Sequence, residues 1–382
     1  MQLLQMRERK KEMKIAKLIV GSSEKCSDLF YQTGIFVPDD FIFFETDDEK
    51  GAIFSSLEYD RAVAHIKKGV KVYPNEFFQV GNRLIDIVIS LARKECIDKF
   101  MVPADFSLLL ADRLRKENIL VEPIAGAFAP EREFKSEYEL EQVKKAMRVT
   151  EIGMKHAYNI LGESSIGNDG FLYWNQKLLT SEILRTEIDA TLIKNGAIGE
   201  HTIAASFLQA AQPHNEGSGG IYANQTIVID IFPRLQASGY YGDLTRTFVK
   251  GRAPEVAKKA FSAVVEARDT AKNYVHAGAT QEESYNVAKS ILEKHGFFTG
   301  VDVQQRNYGF FHSLGHGVGL DIHEAPRLSK GLKNLLQGGE IVTIEPGLYY
   351  PDWGGVRMED IVYVRENNCE VITQIGDEFE IA

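Results

Sequence analysis

The sequence predicts an α/β domain followed by an α+β domain whose sheet is mainly antiparallel. Three observations support this fold class. Before residue 130, short apolar runs alternate with segments of helical periodicity, which is typical of open α/β sheets. Two long amphipathic segments come next. Two pairs of apolar runs then follow, and each pair is joined through a glycine-containing turn, as in antiparallel hairpins.

Length and composition exclude several classes of protein. The chain has 382 residues, which suits two domains, and its apolar fraction of 44% is ordinary for a packed core. The net charge of −10, with dispersed basic residues, argues against a nucleic-acid partner. No apolar run has the length of a membrane span or of a signal-peptide core. Because Cys26, Cys96 and Cys369 are few and far apart, we predict a reducing compartment, and hence a cytoplasmic protein.

The first domain is predicted to span residues 1–130 and to have a structural or oligomer-forming role. It contains no phosphate-binding glycine signature and no constellation of catalytic groups. Its predicted strands are residues 14–20, 41–45 and 51–55, and its predicted helices are residues 77–94 and 107–116.

The second domain is predicted to span residues 131–382. It opens with a capping box at Ser136, ahead of an amphipathic helix over residues 140–159. A polar loop over residues 162–170 follows, and then a second helix that begins near residues 179–182 and runs to about residue 194. We expect these helices to cover one face of the sheet that the rest of the domain forms.

Two carboxylates are predicted to face each other across the first hairpin. Residues 226–232 form an apolar run typical of a strand buried on both faces, yet Asp230 lies within it. After a turn at residues 236–239, the chain returns past Asp243. Two buried carboxylates this close repel each other unless a cation lies between them. The alternative is that Arg246 neutralises one aspartate while the other caps a turn.

The same arrangement recurs near the C-terminus. An apolar run over residues 341–345 ends in Glu345, and the chain returns through residues 356–364, which carry Glu359. Four buried acids with few nearby cations balance the charge of two divalent ions. Two hairpins that face each other across one shared site would provide this arrangement.

Residues 312–326 are predicted to supply histidines to this site. The histidines and the alternating glycines of the segment are His312, His316, His323, Gly315, Gly317 and Gly319. A helix would lose about 1 kcal/mol at each glycine, so we predict an extended backbone that another group approaches closely. Zinc-protease helices carry glutamate after their first histidine, whereas Ser313 stands here. The alternative is a set of structural histidines in a glycine-rich loop.

The predicted ligand set limits which metal ions are expected to bind and which reactions they would support. Four oxygen donors with one imidazole favour Mn²⁺, with Co²⁺ as an alternative, over a closed thiolate zinc site; Zn²⁺ or iron stays open. Two such ions, roughly 3.5–4 Å apart, would share a water and lower its pKa. A centre of this kind hydrolyses amides or phosphate esters, and the lack of a phosphate-cradling loop favours amides.

These residues carry a resemblance to a known family. The stretches D-L-T-R-T, G-H-G-V-G-L-D-I-H-E, I-E-P-G and V-R-M-E-D resemble the motifs of the metallopeptidases with the pita-bread fold (peptidase family M24). That group includes methionine aminopeptidase, aminopeptidase P and prolidase. The resemblance covers the chain from about Ser136 onward and implies a curved sheet there. The first domain resembles the creatinase-type domain of the proline-specific branch. The interval from Asp230 to Asp243 is two residues longer than usual, which a longer hairpin tip would absorb.

The resemblance implies a role for each metal ligand. Asp230 would chelate one ion, His316 and Glu345 would complete the other, and Asp243 and Glu359 would bridge the two.

The resemblance also implies roles around the substrate. His323 would stabilise the oxyanion, Glu345 would be the general base, and His214 would line the pocket. His312 would line the pocket too; the alternative is that it supports other residues of the site without contacting the substrate. Arg357 would hold carboxylates through hydrogen bonds.

Proline chemistry directs the choice of substrate. A bond to proline lacks an amide N–H, so a dedicated pocket is needed, and the expected substrates are proline-containing di- or oligopeptides. Arg327 matches the prolidase position for the dipeptide carboxylate, which favours Xaa-Pro dipeptidase over aminopeptidase P; the alternative is an exposed arginine without this role. A homodimer is implied by resemblance. Two other classes stay open: a non-catalytic binding protein on this fold, and creatinase-like hydrolysis of a guanidino compound without metal.

Overall fold

The computed structural model describes residues 13–382, and the expectation about a signal-peptide core falls on N-terminal residues outside the described part. The chain divides into two compact units, Met1–Arg132 and Glu133–Ala382. Among the helices that residues 13–382 form, none combines the length and the apolarity that crossing a bilayer requires.

The first unit is built on one six-stranded mixed sheet. Its strands are β1 Ile15–Gly21, β2 Phe41–Glu45, β3 Lys50–Phe54, β4 Val70–Pro74, β5 Lys99–Val102 and β6 Leu120–Pro123. Its helices are α1 Ser27–Thr33, α2 Ser56–His65, α3 Leu84–Lys94 and α4 Leu108–Lys116. The strand order is β4-β3-β2-β1-β5-β6, with β1–β2 and β2–β3 antiparallel and the other pairs parallel.

Alternating side chains give this sheet two apolar faces. Leu18 and Phe44 belong to a buried cluster that includes side chains of α3 and α4. Their neighbours Ile19 and Phe43 belong to a second cluster, which includes side chains of α1 and α2. Because successive residues of a strand point to opposite faces, helices cover both sides of the sheet. The α/β class predicted for this part is confirmed.

The helix predicted over residues 77–94 is wrong in its first part. Residues Asn75–Phe78 form a short 3₁₀ turn, and helix α3 begins only at Leu84. Gln79 has a left-handed backbone with φ of 53°, and Arg83 is extended. Helical hydrogen bonds cannot continue through such a segment, although its aromatic side chains fit the helical period.

The second unit contains four helices and several small sheets among the described residues. The helices are α5 Glu137–Glu163, α6 Ser181–Lys194, α7 Glu255–Tyr274 and α8 Gln281–Lys294. The strands are β7 Ser165–Ile166, β8 Leu172–Trp174, β9 Lys177–Leu178, β10 Ala197–Ile198, β11 Ile203–Ser206, β12 Ile227–Ile231, β13 Arg234–Leu235, β14 Leu244–Lys250, β15 Gly300–Val301, β16 Asn307–Tyr308, β17 Gly315–Gly317, β18 Glu324–Leu328, β19 Ile341–Ile344, β20 Gly347–Tyr350, β21 Gly354–Arg357, β22 Asp360–Val364, β23 Cys369–Val371 and β24 Glu380–Ile381.

Two of these sheets carry the candidate site. Their strand orders are β11-β12-β14-β24 and β18-β17-β19-β22-β23. Every pair in them is antiparallel except β14–β24. Helices α7 and α8 share one large buried cluster with β19 and β22. The mainly antiparallel α+β class predicted for this part is confirmed.

The first helix of this unit begins at the predicted capping box. The hydroxyl of Ser136 accepts from the amide of Glu139, whose carboxylate accepts from the amide of Ser136. Helix α5 continues to Glu163, and strand β7 follows at once, so the polar loop predicted over residues 162–170 is partly wrong. Short strands of this length carry too little periodicity to be recognised in a polar segment.

A buried acid at the start of the second sheet predicts a pH-dependent stability. Glu340 is 1% exposed, and burial, offset in part by the Gln337 amide, raises the pKa of its carboxyl from 4.5 to about 7. The pKa of Glu340 is higher in the folded state than in the unfolded state. The contribution of its protonated carboxyl to stability is therefore fully present at low pH and is lost as the pH rises towards 7. Glu340→Gln is therefore expected to increase the free energy of unfolding by about 2 kcal/mol at about pH 8, and by little at about pH 5.

Urea unfolding at the two pH values measures this difference. Glu366→Gln, at an exposed position, is the matched control and should change neither value. An equal gain for Glu340→Gln at both pH values would contradict the assignment.

Candidate metal centre

The first pair of acids lies at the paired ends of two strands. Asp230 on β12 lies opposite Thr245 on the antiparallel strand β14. Asp243 stands directly before β14 and is 4% exposed. The alternative in which Arg246 neutralises one of these aspartates is wrong, because its guanidinium pairs with Asp360, with Nη2 and Oδ1 2.9 Å apart.

The second pair of acids has the same placement in the other sheet. Glu345 directly follows β19, and Glu359 directly precedes β22. The two strands are antiparallel, with Ile344 opposite Asp360. Both acids therefore lie at the same end of this strand pair.

The strand predicted over residues 356–364 is nevertheless wrong as a single strand. Its first part, β21, pairs with β20 in a separate ribbon, and its second part, β22, pairs with β19. Glu359 lies in the gap, where its amide donates to the carbonyl of Thr245 in the other sheet at 3.1 Å. The strand is therefore interrupted at Glu359, the residue that bonds to the first hairpin.

His316 is oriented as a neutral nitrogen ligand. Its Nδ1 lies 3.2 Å from the carbonyl oxygen of Gly317, and since a carbonyl only accepts, Nδ1 carries the proton. The lone pair of Nε2 is thereby directed at the acids, 3.6 Å from Asp243 Oδ2 and 3.4 Å from Glu345 Oε1. Burial lowers the pKa of His316 to about 3, so the ring is neutral.

The glycines beside His316 allow neighbouring backbone to approach. A Cβ on Gly315 would lie 1.9 Å from the carbonyl oxygen of Thr343, and one on Gly317 would lie 2.1 Å from that of Ala325. The close approach expected from the glycine pattern is thus made by the strands on either side of β17.

The electrostatics of the cluster fit divalent cations. Asp243, His316 and Glu359 hold ligand atoms that all lie within 4.8 Å of one another. Burial, followed by mutual repulsion, raises the pKa of Asp243 and Glu359 well above the usual range, and burial raises the pKa of Glu345 to about 8. The Oδ1 atom of Asp230 is buried without a hydrogen-bond partner within residues 13–382. Carboxylates in this condition are the expected ligands of divalent ions.

Arg357 connects the two halves of the cluster. Its guanidinium is buried and donates to Asp230 Oδ2 at 2.7 Å, to the hydroxyl of Thr245 at 3.0 Å and to the hydroxyl of Tyr349 at 2.9 Å. One oxygen of Asp230 is therefore held by an ion pair while the other points into the site. Arg357 therefore contacts one of the candidate ligands, Asp230.

Tyr349 is a residue of this site that the sequence did not reveal. Its hydroxyl lies 3.0 Å from Nε2 of His312, whose Nδ1 lies 2.7 Å from the carbonyl oxygen of Ser313. The carbonyl assigns the proton to Nδ1, so Tyr349 donates to Nε2 while it accepts from Arg357. Both ring nitrogens of His312 are thus engaged within the protein. In the sequence, Tyr349 is simply part of an apolar run, which is typical of a core strand.

One cavity of about 940 Å³ joins the metal-ligand cluster to the predicted substrate residues, which are His214, His312, His323 and Arg327. The ring centroids of His316 and His323 lie 4.4 Å apart. Partial burial and the charge of Arg327 lower the pKa of His323, which keeps its ring neutral and able to donate one N–H. Arg327 lies opposite His316 on the paired strands β17 and β18. Side chains of opposite residues share one face of a sheet, so Arg327 extends on the side of the ligand.

The fold consists of two compact units, and the second unit brings carboxylates and a histidine together in one cavity, as a metal-dependent hydrolase would require. A profile described as Metallopeptidase family M24 matches residues 141–366, which is more than half of the chain. The chain belongs to metallopeptidase family M24, as its motifs predicted. Membership of this family implies divalent metal ions.

Individual relatives agree with this assignment. An Xaa-Pro dipeptidase of Pyrococcus furiosus is 38% identical over 174 residues, which is 45% of this chain and 47% of that protein. The chain thus spans about half the length of the curated relatives that it matches. Among solved structures, an Xaa-Pro dipeptidase from Bacillus anthracis has a TM-score of 0.82 at 24% identity, covering 97% of this chain and 95% of that one.

An X-Pro aminopeptidase from Thermotoga maritima has the same fold. Its TM-score is 0.81 at 24% identity, with coverage of 97% of this chain and 98% of that chain. Similarity of this kind extends over both units and establishes the two-domain fold.

Proposed function

We propose that the protein is a dinuclear-metal peptidase that hydrolyses Xaa-Pro bonds, with Xaa-Pro dipeptides as the preferred substrates. The observation that carries this proposal is the shared cavity, which is lined by the acids, His316 and the basic groups of His323 and Arg327. The acids of the cluster and the guanidinium of Arg327, which line the same cavity, match the two charged ends of a dipeptide.

The five ligands proposed for two ions are Asp230, Asp243, His316, Glu345 and Glu359. Four oxygen donors and one imidazole favour Mn²⁺, with Co²⁺ or Zn²⁺ as alternatives. When bound, such ions supply Lewis acidity and a water of lowered pKa, which are the needs of amide hydrolysis at neutral pH.

The chain's own residues perform the remaining steps. Glu345, beside the ligand nitrogen of His316, accepts the proton of the attacking water. His323 donates a hydrogen bond to the carbonyl oxygen of the scissile bond as that oxygen gains negative charge. His214 lines the same cavity as His312 and His323, where it is proposed to contact the substrate.

Arg327 supports a preference for dipeptides. Arg327 lies on the same face of the sheet as the proposed ligand His316. Its guanidinium can therefore bind the free carboxylate of the C-terminal proline in a dipeptide. Aminopeptidase P activity on longer peptides is the second candidate, because a cavity of about 940 Å³ lies near the upper end for ligand sites, roughly 300–1,000 Å³, and admits more than two residues.

Replacement of Arg327 by methionine tests the dipeptide preference. Because a charge-assisted hydrogen bond contributes about 1.5–3 kcal/mol, KM for an Xaa-Pro dipeptide should rise about 10- to 100-fold. The KM for the same dipeptide as its C-terminal amide should not change. Arg306→Met, at an exposed arginine paired with Asp302, is the control. Equal losses on acid and amide would assign Arg327 a different role.

Metal analysis and turnover on one sample test the function itself. Wild-type protein, after addition of Mn²⁺, should cleave Xaa-Pro dipeptides and should lose that activity on chelation. Tight metal binding without turnover of any peptide would instead indicate a non-catalytic binding protein. Activity that survives exhaustive chelation would support the creatinase-like alternative. A homodimer and a cytoplasmic location stay predictions, and sedimentation addresses the first.

A further inference from the structure

Lys135 is a buried lysine that the proposed chemistry does not use. Its side chain is 1% exposed, and Nζ lies 2.5 Å from Oε1 of Glu324, whose side chain is 10% exposed. The backbone of Lys135 is also fixed, since its amide donates to the carbonyl of Gly339 at 2.7 Å. Lysine is rarely this buried unless it is paired, so the pair defines the conformation of both side chains.

Glu324 terminates the loop that carries His323. It is the first residue of strand β18 and lies opposite Gly317, directly after the position of His316. Residues 318–323 form the loop between the two strands. The loop is therefore flanked by Gly317, directly after the proposed ligand His316, and by the glutamate that Lys135 contacts.

The carboxylate of Glu324 packs inside this loop. A Cβ on Gly319 would lie 2.3 Å from Oε1 of Glu324, so the carboxylate lies directly against the backbone there. The other oxygen lies 3.5 Å from the amide of Asp321. On its outer side the loop is held by Tyr241, whose amide donates to the carbonyl of Gly319 at 2.9 Å. The position of the carboxylate thus determines the path of the loop.

We propose that Lys135 is a positioning residue that, through Glu324, fixes loop 318–323 and holds His323 towards the metal-ligand cluster. The His323 ring is perpendicular to that of His316, at an interplanar angle of 80°. A loop free to shift would misplace this ring relative to the scissile carbonyl. A displacement of about 1 Å in a catalytic group costs on the order of a hundredfold in rate. The proposal rests on the proposed peptidase function wherever turnover is measured.

The test compares Lys135→Met with the double variant Lys135→Met, Glu324→Gln. The single variant removes the buried ion pair between Lys135 and Glu324, so stability and kcat should both fall, with kcat about 10- to 100-fold lower. The double variant also removes the charge of Glu324 and should recover stability, while its kcat stays low because the ion pair between Lys135 and Glu324 is absent. KM and bound metal should equal the wild-type values in both.

The control is Lys289→Met, which removes a lysine from an exposed pair with Glu293 and should change neither stability nor kcat. Amide hydrogen exchange on metal-free protein gives a readout that needs no turnover. Residues 318–324 should exchange faster in both Lys135 variants, and strand β12 should exchange as in the wild type.

A double variant that regains wild-type kcat together with its stability would overturn the proposal, since the pair would then be merely structural. Unchanged exchange in residues 318–324 would overturn it as well. If Lys135→Met alone does not fold, the double variant still tests both the loss of kcat and the faster exchange of residues 318–324. Wild-type protein without turnover on any Xaa-Pro peptide would refute the proposed function only, and the exchange measurement would still test the positioning role.

Discussion

Glu359→Gln and Asp243→Asn are expected to lose bound metal and to reduce kcat/KM by about a thousandfold or more. Both carboxylates have ligand atoms within 4.8 Å of those of His316, and both are proposed bridges between the two ions. An amide keeps the shape of the side chain but removes the charge. Each variant therefore leaves one negative charge fewer to balance two divalent ions.

The same substitutions should not destabilise the metal-free fold. Burial and the neighbouring acids raise the pKa of Asp243 and Glu359, so in the metal-free protein a neutral amide relieves repulsion, and its oxygen can still accept the hydrogen bond of Thr245 at position 359. Metal analysis, kinetics and urea unfolding of the same preparations measure all three quantities. His323→Ala is the matched control: it should lower kcat and leave the metal content nearly intact. Full metal occupancy in Glu359→Gln would exclude its proposed role.

Arg357→Met is expected to cost about 3–5 kcal/mol of stability, because removal of one partner leaves a buried charge uncompensated. The guanidinium is 3% exposed, and its 2.7 Å contact with Asp230 is the ion pair of that carboxylate. Loss of the same side chain also removes the donor to Tyr349. We expect kcat to fall with stability, since Asp230 is no longer held in the ligand position.

Two further variants separate these effects. Tyr349→Phe removes only the hydroxyl between Arg357 and His312, and should reduce stability by about 2 kcal/mol, because two hydrogen bonds that contribute about 1 kcal/mol each are lost. Arg357→Lys keeps the charge, but an ammonium group lacks the planar set of donors that reaches all three acceptors. Its losses of stability and kcat should therefore be intermediate. If Arg357→Met were as stable as wild type, then Asp230 would have a different source of compensation.

Local features of the sequence were sufficient for several elements. The capping box at Ser136 involves residues three apart, and one hairpin joins Asp230 to Asp243, so both follow from short-range rules. Other elements depend on distant contacts. Residues 356–364 are periodic enough for one strand, and only the bond from Glu359 to Thr245 in the other sheet explains why the strand is broken.

Residues with purely tertiary roles were not predictable from the sequence. Tyr349 follows Gly347 in an apolar run and becomes part of the site because Arg357 lies beside it in space. Lys135 stands just before a helix, where a lysine is ordinary, and its partner Glu324 is far away in the chain. Neither residue has a neighbour in sequence that marks its role.

The sequence by itself determined the chemistry of this protein: which acids and histidines it has, their order, and the strands that carry them, because side-chain type and short-range periodicity are local properties. Only the tertiary structure decided how those groups are oriented. The tautomer of His316, the division of Asp230 between an ion pair and the site, and the buried lysine beneath the His323 loop all arise from contacts between residues that are distant in the chain. Such contacts leave no periodic signal in the sequence.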